Sequence, residues 1–264
     1  MKISIIGAGN MGGAVARGLA SGSLIPASDI CIANPSPGKL DALKSDFPAL
    51  RTTQNNREAV RGADLIILAV KPWKIRDVID EIKPELIYSR QSIASMAAGI
   101  GTAQLCEWLD QGDGQLPGVY YLIPNTAIAR RRSMTFISSA HRNAAKDAEL
   151  LAVFRELGDA MFVDEQQMNA CMALASCGIA YVMRYIRAAT EGGVELGLRP
   201  DEARRIIMQT MLGAVSLLEV DGSHPEAEID KVTTPGGLTI RGLNAMEESG
   251  FTAAVIRGLR ASVR

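Results

Sequence analysis

A glycine-rich turn near the N-terminus constrains the fold of this 264-residue chain more than any other feature. It reads G-A-G-N-M-G over residues 7–12, after a short apolar segment predicted as a strand and before a predicted helix. In that context the first glycine makes a tight turn, the second lets the backbone approach a pyrophosphate, and the third permits close helix–strand packing. The turn therefore predicts a Rossmann-type dinucleotide-binding domain, with a purely structural glycine turn as the alternative.

Strand-like and helix-like segments alternate over residues 1–164, which is the pattern of a parallel sheet covered by helices. The run at residues 63–70 is almost continuously apolar, so we expect that strand to be buried on both faces. A turn is expected at residues 54–56. The predicted strands cover residues 2–6, 29–33, 51–53, 63–70, 92–98, 119–123, 134–138 and 161–163. The predicted helices cover residues 11–21, 37–46 and 144–157, or begin near residues 73 and 102.

Only helical patterns follow residue 164, so we predict an α/β domain over residues 1–164 and an all-α domain over residues 165–264. The first helical pattern, residues 165–189, is apolar around most of its circumference, which is typical of a helix buried in a large core or between subunits. We therefore expect the second domain to form a dimer interface. Its other predicted helices cover residues 200–219, 225–231, 235–246 and 252–259.

Composition excludes several functional classes. The formal net charge of -1 provides no general attraction to nucleic acid or to an anionic membrane. No apolar stretch approaches the ~18 residues expected of a membrane-spanning helix, and the N-terminus lacks the features of a signal peptide. We therefore expect a cytoplasmic location. Four cysteines match no zinc spacing and only two histidines are present, so we expect no metal site and no histidine-based triad.

The segment after the second predicted strand indicates which dinucleotide is bound. NAD-binding domains usually carry a carboxylate about 20 residues after the glycine turn. Residues 33–39 read A-N-P-S-P-G-K here and contain no carboxylate. Asn34 and Ser36 can donate hydrogen bonds to a phosphate, and Lys39 adds a positive charge. The pattern favours NADP(H) over NAD(H). Ser36 as a simple helix cap is an alternative, and both roles can coexist.

A second glycine-containing turn lies near the C-terminus, where residues 230–239 read D-K-V-T-T-P-G-G-L-T. Adjacent glycines leave backbone N–H groups uncovered, and the N-terminus of a helix favours a small anion. One interpretation is a carboxylate-binding nest with a positioned hydroxyl. The other is an ordinary turn in which Thr234 caps the following helix.

These features and several further segments together resemble the pyrroline-5-carboxylate reductases over essentially the whole chain. The glycine turn is shared with many dehydrogenases. The segment at residues 224–239, at its distance from the other segments, is specific to this family. The matching segments are I-G-A-G-N-M-G-G-A (residues 6–14), A-N-P-S (33–36), L-A-V-K-P (68–72), S-M-A-A-G-I (95–100), I-P-N-T (123–126), E-G-G-V-E-L-G-L (191–198), Q-T-M-L-G-A (209–214) and H-P-E-A-E-I-D-K-V-T-T-P-G-G-L-T (224–239).

The resemblance implies NADPH-dependent reduction of 1-pyrroline-5-carboxylate to L-proline, the last step of proline biosynthesis. It also implies a homodimer through the C-terminal helices, with a decamer as a larger alternative. Thr239 is implied as the catalytic residue beside the ring nitrogen, and Lys71 is either a cofactor contact or an ordinary surface lysine. The cofactor-binding residues expected from motif and resemblance are Gly7, Gly9, Asn10, Met11, Gly12, Asn34, Ser36, Asn56, Val70, Lys71 and Pro72. The substrate-binding residues implied are Val232, Thr234, Gly237, Leu238 and Thr239.

Two segments depart from the family pattern. Ala127 stands where the family usually has proline and is followed by three arginines at residues 130–132, and residues 175–179 read A-S-C-G-I. The arginines form either a solvated loop or part of an anion-binding wall. A reductase of another cyclic imine and a non-catalytic dinucleotide-binding relative are therefore alternatives. A hydroxyacid dehydrogenase would need a catalytic lysine within residues 165–189, which contain none.

Overall fold

The computed structural model describes residues 1–263, apart from the side chains of residues 220 and 221, and its N-terminal part is built on a twisted sheet. Within those residues the sheet has eight strands in the order β3-β2-β1-β4-β5-β6-β7-β8. The strands are β1 Ile3–Ile6, β2 Ile30–Ala33, β3 Arg51–Thr53, β4 Leu65–Leu68, β5 Ser92–Ser95, β6 Gly118–Ile123, β7 Ser133–Ser139 and β8 Gly158–Phe162. The first half of the chain thus has the Rossmann-type α/β architecture expected from the alternating pattern.

Helices cover both faces of this sheet, because the parallel strands are joined by helical crossovers. The strand β4 contributes Ile67 to the core on one face and Ile66 and Leu68 to the core on the other, which confirms that it is buried on both sides. The helices of this part are α1 Asn10–Ala20, α2 Pro37–Asp46, α3 Asn56–Val60, α4 Ile75–Ile82, α5 Thr102–Leu109 and α6 Ala144–Glu156.

Two local features of this half were not predicted. The chain bends at Gln54 within the expected turn at residues 54–56, but α3 already begins at Asn56, because the Asn55 side chain caps it by accepting from the N–H groups of Arg57 and Glu58 at 3.0 and 3.2 Å. The sheet is also not wholly parallel, since β7 runs antiparallel to β6. Residues 124–132 join these two strands and are fewer than the dozen or so that a parallel crossover needs.

The C-terminal part is helical, as expected, with no strand among the described residues after Phe162. It has a π-helical turn, Met172–Cys177, within the segment predicted as one continuous helix. No helix in residues 1–263 is long and apolar enough to cross a membrane. The helices are α7 Met168–Cys171, α8 Gly178–Glu195, α9 Pro200–Asp221, α10 Pro225–Lys231, α11 Leu238–Glu248 and α12 Phe251–Ala261.

The first compact unit extends beyond the last strand, because it spans Met1–Ser176 and the second unit begins at Cys177. Met168, which is almost fully buried, packs against Tyr121 and Phe136 of the sheet. The hydroxyl of Ser176 donates to the carbonyl of Pro124 at 3.0 Å. Residues 165–176 are therefore helical in character but packed with the sheet, whereas the sequence pattern changes at residue 164.

Candidate cofactor and substrate sites

The glycine turn connects β1 to α1 at the point where the strand order reverses. The chain adds β2 and β3 on one side of β1 and then crosses over to place β4 on its other side. Open α/β sheets bind ligands in the crevice that forms at the carboxyl ends of the strands beside such a reversal. The Gly7 N–H donates to the Ala33 carbonyl at 2.8 Å, which fixes the turn against the end of β2.

Each glycine of the motif has a different steric environment. Gly7 has φ +105°, and a Cβ there would lie 2.7 Å from the Ala69 carbonyl oxygen. A Cβ on Gly12 would lie 1.9 Å from the carbonyl oxygen of Gly7, so only glycine fits. In contrast, a Cβ on Gly9 would meet no described atom within 4 Å. Gly7 and Gly12 are therefore required by the protein's own packing, whereas Gly9 keeps open space in front of the backbone.

A cleft of about 750 Å³ lies beside this turn. Three lysines (Lys39, Lys71 and Lys74) line it, and no carboxylate stands among its described lining residues. Nine of the expected cofactor-binding residues line the cleft: Gly7, Gly9, Asn10, Met11, Asn34, Asn56, Val70, Lys71 and Pro72. The charge and the shape both suit a large anionic ligand.

The two other expected cofactor residues are not in this lining. Gly12 is buried where α1 packs on the turn, and Ser36 precedes α2. Other lining residues were not expected from the motifs, among them Gln54 after β3 and the segment at residues 96–98 after β5. The rule that ligands bind at the carboxyl ends of parallel strands would have found both positions, because each directly follows a strand of the sheet.

The Asn34 side chain is engaged within the protein. Its Nδ2 donates to Ser36 at two acceptors, the Oγ at 2.9 Å and the carbonyl oxygen at 3.0 Å, and its Oδ1 accepts from the Ala8 N–H at 3.1 Å. The role of the Asn34 amide as a donor to phosphate stays a prediction, but in this structure its nitrogen already has two acceptors on Ser36. Ser36 occupies the N-cap position of α2, but no cap hydrogen bond to its side chain is found in residues 1–263.

Asn56 and Lys71 both line the cleft, but only Asn56 has its side chain hydrogen-bonded to another element. The Asn56 side chain donates to the Glu81 carboxylate at 2.8 Å, which holds the start of α3 against α4. Lys71 follows β4, is exposed, and precedes the short 3₁₀ turn Pro72–Lys74. The Asn56 side chain is thus held in place, while the Lys71 ammonium stays solvated at the cleft.

The C-terminal turn is an open helix start. Gly236 has φ +69°, and the Gly237 N–H donates to the Thr234 carbonyl at 2.9 Å. Helix α11 begins at Leu238 with Gly237 as its N-cap, and no described side chain supplies a cap hydrogen bond. The alternative interpretation, in which Thr234 caps this helix, is wrong, because the turn places Thr234 three residues before the N-cap. Among the described residues, the first-turn N–H groups of α11 have no side-chain acceptor.

The residues predicted to contact substrate around this turn are accessible. Val232 and Leu238 are 61% and 85% exposed, which is unusual for apolar side chains. Thr234 and Thr239 are also exposed. The first turn of α11 contains no acidic residue that would repel an anion. These properties suit a site for a small carboxylate.

Arginine 131 has a structural role. Its Nε donates to the Glu156 carbonyl at 3.0 Å and its Nη1 to the Ser21 carbonyl at 3.4 Å, and its backbone has φ +56°. Arg130 and Arg132 are exposed and do not line the cleft. The solvated-loop interpretation therefore fits this run better than an anion-binding wall.

Three cysteine thiols of the first unit have raised pKa values. Burial raises the pKa of Cys31, Cys106 and Cys171, and the nearby Glu165 carboxylate raises that of Cys106 further. A raised pKa keeps a thiol protonated and unreactive at neutral pH. Among the side chains that the structure describes, no group of three or more His, Cys, Asp or Glu is placed to share a metal ion.

Comparison with known proteins agrees with this geometry. Residues 165–264 match the family described as pyrroline-5-carboxylate reductase dimerisation, and residues 2–99 match the family described as NADP oxidoreductase coenzyme F420-dependent. Pyrroline-5-carboxylate reductase 3 of Danio rerio is 36% identical over 263 residues, which cover 99% of this chain and 89% of that protein.

Two further likenesses extend over the chain. Pyrroline-5-carboxylate reductase 1 of Dictyostelium discoideum is 35% identical over 97% of this chain, which spans about half (48%) of that relative's length. The crystal structure of the Plasmodium falciparum pyrroline carboxylate reductase with NADP bound is 25% identical, covers 100% of this chain and 95% of that one, and superposes with a TM-score of 0.87. This chain belongs to the pyrroline-5-carboxylate reductase family.

Proposed function

We propose that this chain is an NADPH-dependent reductase that converts 1-pyrroline-5-carboxylate to L-proline, the last step of proline biosynthesis. The observation that carries the proposal is the full-length likeness to pyrroline-5-carboxylate reductases, at 35–36% identity over 97–99% of the chain. The likeness includes both the cleft beside the glycine turn and the open start of α11. The two sites supply what each reactant needs.

The cleft fits a nicotinamide dinucleotide phosphate. The open space in front of Gly9 and the uncapped start of α1 suit a pyrophosphate, which binds backbone N–H groups at helix N-termini. Ser36 and Lys39 suit the 2′-phosphate, and the absence of a carboxylate among the described lining residues removes a source of repulsion. When bound, the reduced nicotinamide supplies a hydride. NAD(H) is the alternative that the assay below distinguishes.

The start of α11 would hold the substrate. The first-turn N–H groups at Leu238 and Thr239 suit its carboxylate, because they have no side-chain acceptor among the described residues. The Thr239 hydroxyl would orient the ring nitrogen. A protonated imine is already electrophilic, so the protein's main contribution is to position the ring rather than to polarise it. Threonine is a weak acid, which agrees with a positioning role for this hydroxyl.

We further propose a homodimer formed by the helices after Ser176. Among the described side chains of that part, only Ala203 is buried, so these helices have almost no core of their own. Apolar surface of this extent usually marks a protein–protein interface. The exposed apolar residues include Met183, Leu196, Ile206, Leu212, Val215 and Leu217.

A substrate and cofactor panel tests the proposed activity. The purified protein is incubated with 1-pyrroline-5-carboxylate and either NADPH or NADH, while cofactor oxidation and proline formation are both measured. We expect equal amounts of oxidised cofactor and proline, with higher kcat/KM for NADPH. Tight NADPH binding without turnover on this or any other cyclic imine would instead support a non-catalytic relative.

A further inference from the structure

The Asn34 side chain links the glycine turn to Ser36, which follows β2 beside the cleft. It is 9% exposed, and both ends of its amide are engaged. Its oxygen accepts a hydrogen bond from the Ala8 N–H of the glycine turn, and its nitrogen donates to the carbonyl and hydroxyl oxygens of Ser36. A single buried side chain therefore ties Ser36 to the glycine turn, through a bond between Ala8 and Asn34, which are 26 residues apart.

The direction of the Asn34–Ser36 bond determines what the Ser36 hydroxyl can do. A serine hydroxyl has one hydrogen and two lone pairs. Because Asn34 Nδ2 donates to Ser36 Oγ, the hydroxyl hydrogen is not used in that bond. Among the hydrogen bonds of residues 1–263, Ser36 Oγ takes part in no other. The exposed hydroxyl thus keeps its hydrogen for an outside acceptor.

The surroundings of Ser36 suit an anionic acceptor. Pro35 and Lys39, on either side of it in the sequence, both line the cleft. Gln54 holds the same loop, since its Nε2 donates to the Pro35 carbonyl at 2.7 Å. Lys39, in the first turn of α2, brings a positive charge three residues after the Ser36 hydroxyl. Hydrogen bonds to charged groups are stronger than neutral ones, so a phosphate would gain more here than a ribose hydroxyl.

An aspartate at position 34 would reverse this polarity. Its first oxygen could still accept from the Ala8 N–H, but the second would accept the Ser36 hydroxyl hydrogen and would repel the Ser36 carbonyl. Ser36 would then present lone pairs outward, beside a new negative charge. Carboxylates at the end of this strand are the usual ligands of an unphosphorylated ribose.

We infer that Asn34 is a positioning residue that selects the phosphorylated cofactor through Ser36, by holding its hydroxyl as an outward donor. The inference rests on the proposed function only in that the cleft must bind a nicotinamide dinucleotide. It assigns cofactor choice to the amide of Asn34 rather than to the lysines alone.

Calorimetric titration with two probes, adenosine 2′,5′-bisphosphate and AMP, tests the inference without turnover, because the probes differ only in the 2′-phosphate. The variants are Asn34→Asp, Asn34→Ala, Ser36→Ala and the double variant Asn34→Ala/Ser36→Ala. We expect the wild type to prefer the bisphosphate. Ser36→Ala should lower this preference about tenfold, which corresponds to one charged hydrogen bond. Asn34→Asp should lower it about 100-fold, since it also adds a repelling charge.

The double-mutant cycle separates positioning from a general structural role. Asn34→Ala should lower the preference for bisphosphate when Ser36 is present and change it little when Ser36 is alanine. Equal weakening of both probes in either background would overturn the inference, as would an unchanged preference in Asn34→Asp. Asn34→Asp retains the acceptor for Ala8, so it remains informative if Asn34→Ala does not fold. Failure of the wild type to bind either probe would overturn the proposed cofactor site itself.

The same variants give a kinetic check. The ratio of kcat/KM for NADPH to that for NADH should fall in Asn34→Asp by a factor similar to the change in probe preference. A loss of kcat with both cofactors and no change in this ratio would contradict a selective role.

Discussion

Gly9 and Gly12 belong to the same turn but are needed for different reasons. Gly9→Ala should fold normally, because its φ of −68° suits alanine and a Cβ meets no described atom within 4 Å, yet NADPH should bind about tenfold more weakly or worse. Gly12→Ala should lower the free energy of unfolding by about 3 kcal/mol or more, because its Cβ would lie 1.9 Å from a backbone oxygen.

Urea unfolding and NADPH titration on both glycine variants check this pair of predictions. Equal loss of stability in the two variants would show that Gly9 is also a packing glycine. An unchanged NADPH affinity in Gly9→Ala would contradict the assignment of the open space to the cofactor.

Thr239 provides a second prediction at the scale of a single residue. Thr239→Ala should lower kcat about 10- to 100-fold while the NADPH dissociation constant changes less than about twofold, because the hydroxyl is assigned to the substrate nitrogen. Thr239→Ser keeps the hydroxyl and should retain most of the activity. Steady-state kinetics measures kcat, and NADPH titration measures the dissociation constant. A larger loss of NADPH affinity than of kcat would count against the role.

Residue identity predicted some of these roles and not others. The glycine turn could be predicted because a missing Cβ is a local steric property that the motif spacing reveals. The hydrogen bonds of Asn34 could not be predicted, because the sequence does not show whether an asparagine amide is free or bonded within the protein. Its partners, Ala8 and Ser36, are brought together only when β1 and β2 pair.

Between elements, Glu156 at the end of α6 anchors the segment that follows α1. Its Oε1 accepts from the Ser23 and Leu24 N–H groups and from the Ser23 hydroxyl, with the Leu24 bond at 2.8 Å. Burial alone would raise the pKa of Glu156, but these hydrogen bonds and Arg131 outweigh it and hold the pKa below its ordinary value. The carboxylate therefore stabilises the folded state while it is ionised.

This anchor predicts a pH dependence. The folded pKa of Glu156 lies below the unfolded value of about 4.3, so its stabilisation is complete above that pH and is lost as the pH falls through the folded pKa. Glu156→Gln should lower the free energy of unfolding by about 2 kcal/mol at pH 7, and this difference should shrink as the pH falls from about 4.3 through the folded pKa. Urea unfolding over a series of pH values measures this, with the exposed Glu149→Gln of the same helix as the control. A difference that stays constant with pH would contradict the assignment.

Periodicity predicted where strands and helices occur better than it predicted strand direction or interruptions within a helix. The buried strands and the crossover helices follow from local apolar patterns. The antiparallel direction of β7 and the π-helical turn Met172–Cys177 do not, because each depends on contacts with distant segments. The π-helical turn ends beside Ser176, whose hydroxyl donates to the carbonyl of Pro124. Turns of this kind often occur at functional sites.

At the scale of the whole molecule, the helices after Ser176 should depend on a second copy of the chain. Leu212→Glu places a charge on an apolar side chain that is 65% exposed in the single chain, and it should raise the dimer dissociation constant tenfold or more. Ile87→Glu, at a 54% exposed position in the first unit, is the matched control and should leave the dimer unchanged. Sedimentation analysis measures both and also distinguishes a dimer from a decamer. Equal behaviour of the two variants would place the interface elsewhere.

The amino-acid pattern alone predicts the eight strands, the longer crossover helices, the glycine turn and the all-helical second half, because each depends on side-chain periodicity or on the steric needs of neighbouring residues. Tertiary structure alone decided which polar groups remain available for a ligand. It engages Asn34 with Ser36, ties Arg131 to the ends of α1 and α6, and leaves the start of α11 without a described side-chain cap. The physical reason is that hydrogen-bond partners such as Ser23 and Glu156, 133 residues apart, become neighbours only in the folded chain.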